Sequence, residues 1–123
     1  MPFRSNLVPS RAALVIPAYC EAGRVGDVVR EVLRTDFGLT VVVVDDGSHD
    51  NTAREARLAG ATVISHPYNL GYGTSLHTGY CYALRQGFDR VLQMDADGQH
   101  DSGMLARLLA GLERGADVVL GSR

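Results

Sequence analysis

Short apolar runs alternate along this chain with segments in which apolar residues recur at intervals of three and four. Such runs, rich in β-branched residues and bounded by glycine, proline and aspartate, are typical of strands buried on both faces of a sheet. The predicted strands cover residues 13–16, 40–44, 61–64, 90–94 and 117–120. Each of the first four is followed by a segment that could form a helix before the next strand begins.

The helical segments are recognised by apolar stripes along one face. Clear stripes occur at residues 25–33 and 104–112, and Asp101 is the predicted N-cap of the second of these segments. The stripe between them is made by Leu76, Tyr80, Ala83 and Leu84. Residues 52–59 have only a thin face of alanines. Glycines at positions 38, 60, 87 and 115 follow these segments, where a left-handed residue commonly ends a helix.

Strands that alternate with helices predict an α/β fold with a mostly parallel sheet, right-handed crossovers and helices on both faces. The 123 residues are enough for one domain. We assign residues 12–123 to that domain and predict that residues 1–11 are a loose N-terminal lead-in.

Composition excludes several kinds of partner. The net charge of −2 provides no basic field for nucleic acid, and no apolar run approaches the ~20 residues of a membrane span.

The chain has no signal peptide pattern, and Cys20 and Cys81 form no CxxC motif, so we predict two buried, inert thiols in a reducing cytoplasm. All twelve basic residues are arginines, which excludes any mechanism that needs a lysine.

Acidic residues lie at the carboxyl ends of three predicted strands. Residues 17–21 follow the first strand, Asp45 and Asp46 end the second, and Asp95 and Asp97 follow the fourth. Ligands of open α/β sheets bind at this edge, at the point where strand order reverses. If the fourth strand lies beside the first, the three segments surround a single crevice.

Asp95 and Asp97 flank Ala96 and would point the same way from an extended backbone. Two such carboxylates repel one another unless a cation lies between them, and Mg²⁺ or Mn²⁺ bound to a diphosphate fits this arrangement. The alternative is a solvated acidic loop. His100 follows this segment, either near the same site or with a surface role.

The other two loops also have alternative interpretations. Asp46 could accept a hydrogen bond from a nucleobase N–H, or the segment could be an ordinary turn in which Asp50 caps the next helix. Residues 69–73, Asn-Leu-Gly-Tyr-Gly, are a poor dinucleotide fingerprint because Leu76 stands at the third glycine position. We interpret them as a flexible turn at the start of a helix.

Five segments together resemble family 2 glycosyltransferases, and within them the branch similar to dolichol-phosphate mannosyltransferases. They are VIPAYCE at residues 15–21, VDDGSHDNT at 44–52, NLGYG at 69–73, MDADGQH at 94–100 and GSR at 121–123. The resemblance covers nearly all of residues 12–123. It departs from the family at Cys20, where asparagine is usual, and at Ser102, which replaces a common proline.

The resemblance implies a Rossmann-like A-type glycosyltransferase fold, here in truncated form, and an inverting transfer from a nucleoside-diphosphate sugar of the GDP-mannose or UDP-glucose type. It places Pro17, Tyr19, Glu21 and Asp46 around the base and ribose. It places a Mg²⁺ or Mn²⁺ ion at Asp95, Asp97 and Gln99, with Ala96 between the aspartates and Arg123 near a phosphate. A polyprenyl phosphate is the implied acceptor, and since it is already anionic we nominate no general base.

Rival functions differ in what they require. A phospho-receiver domain needs a lysine near its acidic pocket, and a P-loop nucleotidase needs a glycine-rich motif that the chain lacks. A nucleotidyltransferase or a non-catalytic nucleotide-sugar-binding module stays open as an alternative function.

Because the sequence ends at Arg123 after the fifth predicted strand, we expect donor binding without transfer, and self-association through exposed sheet edges. Such an enzyme is expected in the cytoplasm, with a possible location at the cytoplasmic face of a membrane.

Overall fold

The structure is a computed structural model that describes residues 11–35, 38–96, 110 and 118–120. Within these residues the chain forms a five-stranded sheet in which all neighbouring strands are parallel. The strands are β1 (Ala12–Ala18), β2 (Thr40–Asp45), β3 (Thr62–Ser65), β4 (Arg90–Gln93) and β5 (Val118–Leu120). Their order across the sheet is β3-β2-β1-β4-β5. The predicted parallel α/β architecture is therefore confirmed, with strand bounds shifted by one or two residues.

Helices cover both faces of the sheet, as predicted. They are α1 (Val25–Leu33), α2 (Thr52–Ala59) and α3 (Tyr72–Arg85). Alternate residues of β1 supply the two cores: Leu14 and Ile16 pack with the valines of α1, whereas Ala13 and Val15 pack with Ala83 of α3. The helix predicted at residues 104–112, its cap Asp101 and Gly115 lie outside the described residues, apart from Ala110.

The third helix approaches the sheet more closely than its predicted stripe implied. Its fully buried positions are Ser75, Gly79 and Ala83, one turn apart. A β-carbon at Gly79 would lie 2.4 Å from Cγ1 of Val15, so the helix backbone packs directly on β1. The prediction that Leu84 belongs to the buried stripe is wrong, because the small residues face the sheet and leave Leu84 72% exposed.

Two of the described turns confirm the predicted helix ends. Gly60 is the left-handed C-cap of α2, and Gly87, with a positive φ, follows the C-cap of α3. The prediction that Gly38 ends the first helix is wrong, because α1 ends at Leu33 with a right-handed C-cap at Arg34. The prediction of buried cysteines is wrong, since both thiols are free but only half-buried. Among the described helices, none is both long enough and apolar enough to cross a membrane.

Candidate functional site

A cleft of about 300 Å³ opens at the carboxyl edge of the sheet. It lies where the strand order reverses, because β1 pairs with β2 on one side and with β4 on the other. The condition stated for a single crevice, that the fourth strand lies beside the first, is thus met. The cleft is lined by Pro17, Ala18, Tyr19, Glu21, Asp46, Asn69, Gly71, Tyr72, Ser75, Asp95 and Ala96.

Six of the predicted site residues line this one cleft. They are Pro17, Tyr19, Glu21, Asp46, Asp95 and Ala96. The other three, Asp97, Gln99 and Arg123, lie outside the described residues, as does His100. The structure thus brings the ends of β1, β2 and β4 together, while the roles of these side chains toward a donor stay predictions.

The cleft also has a wall that the sequence prediction did not assign to it. Asn69, Gly71, Tyr72 and Ser75 come from the loop after β3 and the first turn of α3. Residues 69–73 were interpreted as a flexible turn. The signal that could have identified this wall was positional, because the segment follows a third strand whose carboxyl end opens on the same edge of the sheet.

Asp46 holds that wall in place through hydrogen bonds to its backbone. Its residue is 4% exposed, and its carboxylate accepts hydrogen bonds from the backbone N–H groups of Leu70 and Gly71, each at 2.8 Å. The ring of His66 lies 2.7 Å from the same carboxylate. Burial is the largest influence and raises the pKa of Asp46, but the hydrogen bonds from His66, Leu70 and Gly71 together lower the pKa below its ordinary value.

Gly47 permits this arrangement. It has a φ of +76°, and a β-carbon there would lie 2.4 Å from the carbonyl carbon of Tyr68. Only glycine combines the left-handed conformation with such a close backbone approach. The loop after β2 and the loop after β3 therefore pack directly on one another, which brings Asp46 within reach of the backbone at Gly71.

The loop after β1 is fixed by side chains from the segment that begins α2. Four consecutive backbone N–H groups, from residues 20 to 23, each donate to a different side chain. The acceptors are Ser48 at 2.8 Å, Thr52 at 2.8 Å, Asp50 at 3.3 Å and Glu55 at 2.7 Å. This set of four hydrogen bonds, hereafter the loop clamp, positions the segment that carries Tyr19 and Glu21 into the cleft.

The loop clamp is itself held in place. Thr52 is fully buried and its hydroxyl donates to Asp50, whose Oδ1 also accepts the backbone N–H of Thr52 at 3.0 Å. Asp50 therefore satisfies one donor at the start of α2, although the N-cap position itself is occupied by Asn51 and not by Asp50 as the alternative interpretation had it. Asp45, which is also buried, accepts from the backbone N–H of Ser48 at 3.1 Å.

The backbone of the clamped loop is unusual at Cys20. Among the described residues Cys20 is the one non-glycine residue with a positive φ, of 54°. Asparagine tolerates this left-handed region better than most residues. The left-handed backbone is therefore a physical reason why asparagine, usual in the resembling family, suits this position.

Glu21 and Tyr19 are the polar side chains that the loop after β1 contributes to the cleft. The Glu21 carboxylate pairs with Nε of Arg24 at 2.7 Å and is 20% exposed. Tyr19 is 44% exposed. The neighbouring Cys20 most strongly raises the pKa of the Tyr19 phenol, and burial adds to the increase, so this side chain is a neutral hydrogen-bonding group at physiological pH.

A chain of hydrogen bonds leads to Asp95, which follows β4. The Tyr80 hydroxyl donates to the Gln93 carbonyl oxygen, Nε2 of Gln93 donates to Tyr72 at 3.3 Å, and Tyr72 donates to Asp95 at 3.4 Å. Burial, followed by the nearby Tyr72, raises the pKa of Tyr80. Each group donates toward the next, so the chain orients the Asp95 carboxylate at the end of β4.

Asp95 is the described member of the predicted metal ligands. Within residues 11–35, 38–96, 110 and 118–120, no group of three His, Cys, Asp or Glu side chains is arranged to hold a metal ion. A carboxylate at the cleft nevertheless has the chemistry that Mg²⁺ requires, since this ion often binds one or two protein carboxylates and completes its shell with water and phosphate oxygens.

The sequence model of the family described as "Glycosyl transferase family 2" matches residues 13–123 of this chain. This chain belongs to glycosyltransferase family 2. The matched segment includes every residue that lines the cleft, from Pro17 to Ala96. The resemblance inferred from the five sequence segments is confirmed.

Two curated relatives of this family-2 chain are similar over most of its length. Polyprenol monophosphomannose synthase of Mycolicibacterium smegmatis is 35% identical over 119 residues, which cover 92% of this chain and 45% of that protein. Undecaprenyl-phosphate mannosyltransferase of Micrococcus luteus is 35% identical over 125 residues, which cover 92% of this chain and 48% of that protein. The chain therefore spans about half the length of these curated relatives.

A solved structure shows the same fold. Glucosyl-3-phosphoglycerate synthase of Mycobacterium tuberculosis, in complex with Mn²⁺, UDP-glucose and phosphoglyceric acid, superposes with a TM-score of 0.67 at 24% identity. The match covers 86% of this chain and 40% of that one. The A-type glycosyltransferase fold predicted for this chain is confirmed by this likeness.

Proposed function

We propose that the cleft is the nucleotide-sugar donor site of an inverting glycosyltransferase that uses a divalent metal ion and transfers a sugar to a polyprenyl phosphate. The observation that carries the proposal is the cleft itself. It gathers Tyr19, Glu21, Asp46 and Asp95 from the ends of three separate strands at the switch point of the sheet. A volume of about 300 Å³ falls at the lower end of the range for small-molecule sites.

The polar groups of the cleft suit the two parts of a nucleoside diphosphate. Tyr19, Glu21 and Asp46 provide polar groups for a base and a ribose, and Pro17 adds an apolar surface. Asp95, after β4, is assigned to the diphosphate side. The resemblance to family 2 supports this division, because it implies that Pro17, Tyr19, Glu21 and Asp46 surround the base and ribose and that Asp95 holds the metal on the diphosphate.

The metal assignment rests on the donor chemistry at Asp95. Asp95, Asp97 and Gln99 would hold Mg²⁺ or Mn²⁺, and Arg123 would approach a phosphate. A divalent ion bound there supplies positive charge that offsets the charge growing on the diphosphate leaving group. The chain's own contribution is orientation: Tyr72 and Gln93 fix the Asp95 carboxylate before any ligand binds.

A polyprenyl phosphate acceptor is supported by the two curated relatives, whose names specify polyprenol and undecaprenyl phosphate products or acceptors. A phosphate monoester is anionic near neutral pH and can attack without a general base. The proposed reaction therefore does not require a histidine or a carboxylate of the cleft to act as a general base. Such an acceptor would bring the enzyme to the cytoplasmic face of a membrane.

The test is calorimetric titration of GDP-mannose and UDP-glucose, with Mn²⁺ and then with EDTA. We expect at least one donor to bind, with EDTA weakening its affinity about tenfold or more. Asp95→Asn and Asp97→Ala should each reduce the part of the donor affinity that depends on Mn²⁺. The matched control is Asp27→Asn, which changes an exposed carboxylate on α1 paired with Arg30 and far from the cleft.

Two outcomes would contradict the proposal in different ways. Equal affinity in Mn²⁺ and EDTA would remove the metal and leave the donor site. Failure of both donors to bind in the presence of Mn²⁺ would contradict the donor site itself, whereas donor binding without transfer of radiolabelled sugar to polyprenyl phosphate is the outcome expected above. Self-association, predicted from the sequence, is measured in the same preparations by light scattering.

A further inference from the structure

A buried histidine connects the floor of the cleft to α3. His66 follows β3 directly, and its side chain is 9% exposed. Its Nδ1 lies 2.7 Å from Oδ1 of Asp46, and its Nε2 lies 2.9 Å from Oγ1 of Thr78. The proposed function uses Asp46 but gives no role to His66 or Thr78.

The two hydrogen bonds define the state of the imidazole ring. An ionised carboxylate can only accept hydrogen bonds, so Nδ1 of His66 carries a proton. In the neutral ring Nε2 is then an acceptor, and the Thr78 hydroxyl donates to it. Thr78 therefore favours the tautomer in which His66 donates to Asp46, and it fixes the plane of the ring.

Counting acceptor positions on Asp46 shows what this contact achieves. Each carboxylate oxygen accepts about two hydrogen bonds. Oδ1 accepts from His66 and from the Leu70 N–H, so its capacity is filled. Among the described residues, the one donor to Oδ2 is the Gly71 N–H, which leaves Oδ2 with an acceptor position. Asp46 is also one of the residues that line the cleft.

We propose that His66 is a positioning residue of the donor site, which saturates Oδ1 of Asp46 and so presents Oδ2 to a nucleobase N–H or ribose hydroxyl. The proposal rests on the proposed function, since it assumes a nucleoside diphosphate in the cleft. It adds that the affinity for the nucleoside part of the ligand depends on the ring of His66, whereas the affinity for the diphosphate part does not. Thr78 acts one step further away, through the orientation of that ring.

The test compares nucleoside diphosphates with a probe that lacks the nucleoside. Affinities for UDP, GDP and inorganic pyrophosphate are measured by calorimetry with Mn²⁺ for the unchanged protein, His66→Ala, His66→Asn and Thr78→Val. Asparagine can place an N–H donor where Nδ1 of histidine lies, so His66→Asn is the conservative variant. His77→Ala is the matched control, because His77 is an exposed histidine beside Thr78 on the same helix.

We expect His66→Ala to weaken binding of the preferred nucleoside diphosphate about tenfold or more, as for loss of a hydrogen bond to a charged group. Pyrophosphate affinity should stay within about twofold, because the diphosphate end is unchanged. His66→Asn should recover most of the loss, Thr78→Val should show a smaller loss, and His77→Ala should match the unchanged protein. A purely structural role would instead weaken both probes together.

A spectroscopic measurement keeps the two proposals distinguishable. ¹⁵N shifts of the His66 ring, recorded near pH 8, should show the Nδ1–H tautomer in the unchanged protein and an altered tautomer ratio in Thr78→Val. Failure of the unchanged protein to bind any nucleotide would overturn the proposed function. Normal nucleotide binding by a folded His66→Ala variant, equal losses for both probes, or the Nε2–H tautomer would overturn the role of His66 alone.

Discussion

At the scale of single residues, Cys20 gives a test of backbone strain. Its φ of 54° places a β-carbon-bearing residue in the left-handed region, which costs of order 1 kcal/mol or more. Cys20→Asn should raise the free energy of unfolding by about 0.5–1 kcal/mol, because asparagine tolerates this conformation. Urea denaturation measures the change.

The control for this prediction is the other half-buried cysteine. Cys81 lies within α3, where asparagine and cysteine have similar helix propensities, so Cys81→Asn should bring no gain. An equal stabilisation in both variants would show that removal of a thiol, and not relief of strain at residue 20, is responsible.

At the scale of elements, the contact between α3 and β1 depends on Gly79. A β-carbon there would lie 2.4 Å from Cγ1 of the buried Val15, and neither neighbour can move without disturbing the core. Gly79→Ala should therefore lower the free energy of unfolding by about 1–3 kcal/mol. The same substitution at Gly73, in the same helix with open space around it, should raise stability by about 0.5 kcal/mol. Equal effects at the two positions would contradict the close packing of helix and strand.

The loop clamp is a second test at this scale. Thr52→Val keeps the shape of the side chain but leaves the Glu21 N–H without its acceptor, at a cost of about 1–2 kcal/mol. Hydrogen exchange of the Glu21 amide should accelerate, and nucleotide affinity should fall as the Tyr19–Glu21 segment loosens. Thr52→Ser retains the hydroxyl and should preserve slow exchange. Identical exchange in both variants would mean that the hydroxyl does not fix the loop.

At the scale of the whole molecule, the buried carboxylate of Asp46 makes a contribution to the free energy of unfolding that depends on pH. The pKa of Asp46 is lowered below its ordinary value of 3.8 in the folded protein. Its stabilisation is therefore complete above that value and is lost as the pH falls through the folded-state pKa. The unfolding free energy, measured by urea denaturation between pH 7 and pH 3, should decrease toward the acid end.

Asp46→Asn isolates this contribution. The variant should be less stable by roughly 2 kcal/mol at pH 7, since it loses charge-assisted hydrogen bonds. It should approach the unchanged protein only as the pH falls through the folded-state pKa of Asp46, which lies below 3.8. Asp27→Asn, at an exposed position on α1, should keep the pH dependence of the unchanged protein. A constant difference between Asp46→Asn and the unchanged protein at every pH would rule out the ionised carboxylate as the cause.

Across these scales, periodicity predicted the elements better than their contacts. The apolar runs of β1 and β2 identify them as central strands, because a strand covered on both faces has no polar alternation. The helix stripe at residues 76–84 was harder to interpret. Its large residues suggested the buried face, whereas the small residues Ser75 and Gly79 form it, since a close helix–sheet contact excludes large side chains.

The site shows the same division. The sequence by itself determined the α/β fold, the acidic strand ends and the family, because strand period, strand-end position and motif order are all local or sequential properties. Tertiary structure decided that β4 lies beside β1, that the loop after β3 forms a wall of the cleft, and that His66 reaches Asp46. These contacts join residues that are distant in sequence, and their partners are selected by packing and by the need to satisfy buried polar groups, which no local pattern records.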